Sequence, residues 1–138
     1  GGARFAHEME PYAVDYLEKH QILESDEELV GYYDRTVSMD GTDAYIISDR
    51  RIVHHAPNGD LSIPLEDVDT VDVHKGDLGM TIFVVTRSDG TTFHLEIDAF
   101  NGAQKFGDIL QSALKKAGSD VEVPPVPGDA TTMGPQSS

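Results

Sequence analysis

Between Leu29 and Ile97 the chain is a succession of short β-branched and aromatic runs broken at Asp40-Gly41, Asn58-Gly59 and Asp89-Gly90. No other feature constrains the fold as strongly. Gly after Asn or Asp supplies the positive φ of tight hairpins, and runs this short between such turns read as antiparallel strands. Seven strands are expected, near Glu28 to Arg35, Asp43 to Ile47, Arg51 to Ala56, Leu61 to Pro64, Thr70 to Lys75, Met80 to Arg87 and Thr92 to Ile97. The alternation predicts one buried face: Phe93, Leu95 and Ile97 inward against His94 and Glu96, and Val71 and Val73 inward against Asp72 and His74.

Helices are expected on either side of this block. Glu8 to Gln21 begins with acids and Pro11, ends with Lys19 and His20, and repeats Met9, Ala13, Tyr16 and Leu17 at helical spacing. Asn101 with Gln104 resembles a capping box, and Phe100, Ala103, Phe106, Ile109, Leu110, Ala113, Leu114 and Ala117 form a stripe that must cover something. Lys115 and Lys116 suit the C-terminal dipole, and Gly118 suits the cap. Ser25 with Glu28 offers a competing capping box, but Leu29, Val30, Tyr32 and Tyr33 around Gly31 favour a strand. Ser119 to Ser138, rich in Pro, Gly, Ser and Thr, reads as an irregular tail that builds no core. The organisation is therefore a helical arm over 1–21, with Gly1-Gly2 read as an expression scar, a β domain over 22–117 and a tail over 118–138.

Composition enters chiefly through what it excludes. Asp and Glu number 25 against 10 Lys and Arg, a net charge of -15, and such a field repels phosphate, nucleic acid and anionic lipid. Only residues 100–117 are net basic, with Lys105, Lys115 and Lys116 against Asp108. The absence of cysteine removes disulfides, thiolate zinc sites and thiol nucleophiles. No apolar run approaches the roughly 18 to 20 residues of a spanning helix, and no leader pattern opens the chain, so a cytoplasmic setting is the default expectation.

No residue set reads as catalytic or metal-binding, and no cofactor is expected. His54 and His55 are neighbours on one strand and point to opposite faces, while His74 and His94 meet only if their strands are adjacent. The clusters Asp40, Asp43, Asp49 and Asp67, Asp69, Asp72 lack the spacing of a calcium loop. Ser48, Ser62 and Ser88 have no nucleophile-elbow context, and Gly76 to Gly79 lacks the Lys of a phosphate loop. Arg50-Arg51 could attract an anion but reads better as the partner of nearby carboxylates.

Tyr45 to Val53, YIISDRRIV, resembles the core of bacterial pleckstrin-homology-like domains, close to their GRAM branch. Gly59 to Val73, GDLSIPLEDVDTVDV, continues the likeness, as do Lys75-Gly76 with Leu78-Gly79, the strand Thr81 to Thr86, the Asp89-Gly90 turn and the helix around Phe106 and Leu110. The resemblance covers about residues 22–117. It implies a mainly β fold with helices: a seven-stranded, strongly bent barrel capped by the C-terminal helix. It also implies a non-enzymatic binding or scaffolding module. Lipid-binding members of the family use Lys and Arg at the first hairpin, whereas Thr36 to Thr42 here holds Asp40 and no base. The expected activity is protein contact, with self-association into a homo-oligomer as one form of it, through an exposed strand edge or through Tyr12, Tyr16 and Leu17 of the first helix. The alternative is binding of anionic lipid or another anion by Arg35, Arg50 and Arg51.

Overall fold

The computed structural model describes residues 2–128. Eight strands and two α-helices follow in the order β1 (Arg4–Phe5), α1 (Pro11–Lys19), β2 (Leu29–Asp34), β3 (Ala44–Ser48), β4 (Arg51–Ala56), β5 (Gly59–Pro64), β6 (Val68–Lys75), β7 (Thr81–Arg87), β8 (Thr92–Ile97) and α2 (Ala103–Lys116). All neighbouring strands pair antiparallel, in a five-stranded sheet ordered β1-β2-β3-β4-β5 and a three-stranded sheet ordered β6-β7-β8. None of the helices among these residues is long and apolar enough to cross a membrane.

Two expectations change here. The strand count among the described residues is eight, because Arg4 and Phe5 pair with Tyr32 and Gly31, and a two-residue strand leaves no periodicity to read. The sheets also do not close into a barrel through backbone ladders. Between β5 and β6, Pro64 and a single 3-10 turn, Leu65–Asp67, break the ladder. At the other seam, side chains take over: the Glu96 amide donates to the Tyr45 hydroxyl at 2.9 Å and the Asp98 amide to the Tyr33 hydroxyl at 3.1 Å. These bonds satisfy outward amides at the β8 edge that a barrel would satisfy with another strand.

Tyr33, Tyr45, Ile47, Ile52 and Ile63 from the larger sheet meet Phe83, Val85, Leu95 and Ile97 from the smaller one. The stripe of α2, namely Phe106, Ile109, Leu110, Ala113 and Leu114, completes this core. Aromatic rings fill its centre, with Phe106 5.3 Å from Phe83 and 5.9 Å from Tyr45 between ring centroids. Close approach of α2 to β2 depends on Gly31, where a Cβ would overlap the Ile109 side chain.

The expected start of α2 is also corrected. Gly102, at φ 82°, is its N-cap, and no side chain caps it. Asn101 instead donates to Tyr33, and Gln104 bonds Asp108 and the Val126 amide. At the other end the expected glycine cap forms: Gly118, at φ 80°, lets the Ser119 amide return to Leu114 O at 2.9 Å. Ser25 and Glu28 start no helix, and β2 begins at Leu29. The tail is irregular yet contributes to the core through Val126, which is buried, while Gln111 bonds the backbone of Val121 and Val123. Residues 129–138 of the expected tail lie outside the described residues.

Candidate functional site

Helix α1 lies on the outer face of the larger sheet. Ala13, Leu17 and Ile22 pack with Tyr32, Ala44, Ile46 and Val53 in a second core, and all five residues of β3 are consequently buried. Polar bonds fix the helix at both ends. Tyr12 donates to Asp34 Oδ2 at 2.8 Å, and the buried Asp34 also accepts from the Thr36 and Gly41 amides. Burial, then the Asp34 carboxylate, pushes the Tyr12 hydroxyl up. Tyr16 meets His55 Nε2 at 2.9 Å, while His55 Nδ1 meets Asp60 at 2.7 Å. A carboxylate only accepts, so Nδ1 donates to Asp60, and in the neutral imidazole Nε2 is left to accept from the phenol. The order acid, imidazole, hydroxyl mimics a nucleophilic triad. Burial and the charges of Asp40, Asp60 and Asp34 push the Tyr16 hydroxyl up, away from the nucleophilic phenolate. Tyr12, Tyr16 and Leu17, expected to offer an outward contact, thus spend their side chains within the chain.

The three arginines expected to form an anion site are not brought together. Arg50 and Arg51 occupy the β3–β4 turn, near Ser48, whereas Arg35 follows β2 at the end where Asp34 pairs with Ala44. Each is engaged by carboxylates. Arg35 reaches Asp43 at 3.3 Å and Glu96 at 3.6 Å, and Arg50 reaches Asp26 at 3.0 Å. Arg51 grips Glu27 with Nε at 2.8 Å and Nη2 at 3.0 Å, and its Nη2 also caps Ile22 O. Burial of the Glu27 side chain pushes its carboxyl up, but the hydrogen bonds from Arg51 and Ser48 outweigh it and hold the group down at about 2. This pair ties the loop after α1 to the β3–β4 turn.

His54 and His55 face opposite ways, to Asp43 and to Asp60. His74 and His94 do not meet, since β7 runs between them: Ile82 stands between His74 and Glu96, and Val84 between Asp72 and His94. Among the described residues no three potential ligands gather to hold a metal.

Wholly exposed large apolar side chains occur at Val37 in the β2–β3 loop, two residues before the left-handed Met39, and at the end of the smaller sheet, where the β6–β7 loop meets the β8–α2 loop. Leu78 is 98% exposed and Phe100 105% exposed, and both hold left-handed backbone, at φ 58° and 66°. Such a conformation costs a residue with a Cβ roughly 1 kcal/mol, and nothing buried offsets it. The loops touch between them: a Cβ on Gly79 would stand 3.0 Å from Ala99 Cβ. Beside that contact, Asp77, Leu78, Met80, Ile82, Glu96, Asp98 and Ala99 line a groove of about 590 Å³ that holds three carboxylates and no base. It continues onto the outer face of β6–β8, where Ile82 and Val84 are half-buried. A larger groove, about 750 Å³, runs from Val14 and Leu17 to Leu29, but its apolar lining belongs mostly to the second core.

Neither Leu78 nor Phe100 was expected to stand out. Phe100 reads as the first residue of the α2 stripe, and its signal is its place ahead of Asn101-Gly102, outside the helix. Leu78 is flanked by Asp77 and Gly79, an apolar residue inside a turn with no periodic partner. Comparison of the chain with family models, curated proteins and solved structures finds no match.

Proposed function

We propose that this chain is a non-enzymatic binding module of the pleckstrin-homology-like type, acting through protein contacts made at the Leu78–Phe100 end. The type is supported by the order of seven antiparallel strands, a four-strand meander β2 to β5 and a three-strand meander β6 to β8, followed by the helix α2. The carrying observation for contact is the pair of wholly exposed apolar side chains held on left-handed backbone. Folding gains nothing from either, so a bound partner is what rewards them. The arginine alternative draws no such support, because all three guanidinium groups are already paired. Self-association of this face upon its own copy would set Asp77, Glu96 and Asp98 against the same carboxylates, which favours a different polypeptide.

The test is selection from a phage-displayed library of random peptides against the full chain and against the double variant Leu78→Gly, Phe100→Gly. The wild-type chain enriches a peptide family that the variant does not retain. Absence of enrichment, or equal enrichment by both, overturns the reading. Light scattering across a concentration series accompanies it; a mass that climbs above 15.0 kDa in the wild type and not in the variant would assign the surface to self-association instead.

A further inference from the structure

The geometry points to a specific chemistry for the occupant: we infer that the groove beside Leu78, which adjoins the groove of Phe100, Lys75 and Lys105 at Asp98 and Ala99, takes a basic polypeptide segment, one large apolar side chain seated against Leu78, Met80 and Ala99 and flanking Lys or Arg side chains paired with Asp77, Glu96 and Asp98. This inference rests on the binding-module reading above.

Its first support is the division of labour in the groove. Apolar groups come from the loops and the central strand, Leu78, Met80, Ile82 and Ala99, while the carboxylates stand around them, Asp77 before Leu78, Asp98 before Ala99, and Glu96 across from Ile82. An apolar centre ringed by one sign of charge is the pattern of a site that anchors a side chain and selects its neighbours. The second support is that the carboxylates are poorly neutralised from within. Asp77 and Asp98 are exposed, and among the described residues Glu96 pairs with Arg35, at 3.6 Å. Asp26 is gripped more closely by Arg50, at 3.0 Å, and Glu8 by Lys105, at 2.9 Å, although Glu28 meets Lys116 at the same 3.6 Å. The third support is rigidity. The β6–β7 loop is pinned by the Gly76 amide on Met80 O at 2.8 Å and the Met80 amide on Asp77 O at 3.0 Å; the β8–α2 loop is pinned by the Asn101 amide on Asp98 O and by the Ala3 amide on Asn101 O. Side chains presented on fixed loops lose little freedom when they bind.

An anionic membrane is the competing occupant for exposed Leu and Phe, and the three carboxylates oppose it, since each would approach a surface of its own sign. Nucleic acid is opposed for the same reason.

The experiment uses the most enriched peptide from the library selection, synthesised with a fluorescent label and read by anisotropy against the full chain. The enriched sequences carry at least two Lys or Arg beside a Leu, Ile, Met or Phe, and replacing those bases by Ser weakens binding about tenfold, the sum of a few exposed ion pairs. The triple variant Asp77→Asn, Glu96→Gln, Asp98→Asn loses about the same factor. A charge-matched control, Glu66→Gln, Asp69→Asn, Asp89→Asn, removes three acids at the opposite end of the smaller sheet and leaves affinity within about twofold, which separates a local site from the field of a chain at -15. Enriched peptides without charge bias, or equal losses in the two triple variants, overturn the basic-partner inference while leaving the binding-module reading standing. A library that enriches nothing overturns both. Sedimentation of the chain with phosphatidylcholine vesicles containing a third of phosphatidylserine is expected to leave it in the supernatant; co-sedimentation abolished by Leu78→Gly, Phe100→Gly would assign the surface to lipid and overturn the inference.

Discussion

The larger sheet has its outer face covered by α1, whose Ala13 and Leu17 bury against Tyr32, Ile46 and Val53, while the outer face of β6–β8 carries no helix among the described residues and leaves Ile82 and Val84 half-buried. The difference is written in the strands. β3 is apolar on both faces, Ala44 and Ile46 outward and Tyr45 and Ile47 inward, and cannot stand in water without a cover. In the smaller sheet only the central strand is apolar outward, and Asp72, His74, His94 and Glu96 flank it. One face is thus finished within the chain, and the other is left open among the described residues.

This contrast makes the covered face the sensitive one. The largest loss is expected at the ion pair at its margin, between the loop after α1 and the β3–β4 turn: Arg51→Ala leaves the buried Glu27 carboxylate without its partner and costs about 3 kcal/mol, measured by urea unfolding at neutral pH. The same pair sets an acid limb. Because the folded Glu27 carboxyl sits at about 2 against an ordinary value of 4.5, the stability it supplies is complete above the latter and drains as pH falls from 4.5 towards 2; Glu27→Gln flattens that part of the stability curve. Leu17→Ala, which opens a cavity between α1 and the sheet, costs about 2 kcal/mol in the same assay. Tyr12→Phe removes one donor from Asp34, which keeps its bonds to the Thr36 and Gly41 amides, and costs about 1 kcal/mol. On the open face the sign reverses: Leu78→Gly and Phe100→Gly each leave stability unchanged or raise it by less than about 1 kcal/mol, since the left-handed backbone suits glycine and the lost side chains were in solvent. A loss at Leu78 as large as that at Leu17 would erase the contrast.

The fold was legible where a local rule governed it. Asp40-Gly41 and Asp89-Gly90 fall between observed strands and Asn58-Gly59 leads into β5, with Gly41, Gly59 and Gly90 at φ 80°, 129° and 90°. The inward and outward sides of Val71 to His74 and of His94 to Ile97 follow the period of two. Illegible were the features that depend on distant partners. Tyr33 and Tyr45 read as ordinary strand aromatics, and only the tertiary arrangement puts their hydroxyls on the amides of Asp98 and Glu96. The amphipathic stripe of α1 was plain, but not that its own sheet would take it up. Val126 looked like part of a coreless tail because its neighbours are Pro125 and Pro127, and the glutamines of α2 that hold this stretch carry no pairing signal. Leu78 and Phe100 were missed because exposure is a property of the assembled surface: each is a common apolar residue whose local context says turn, not site.

The central claim is that the Leu78–Phe100 end is kept for binding and not for folding, and the double variant Leu78→Gly, Phe100→Gly measured for both properties tests it most directly. The expected result is a urea midpoint equal to or above that of the wild-type chain together with a loss of at least about tenfold in affinity for the library-selected peptide. A midpoint lowered as far as that of Leu17→Ala, or an affinity left intact, would contradict it.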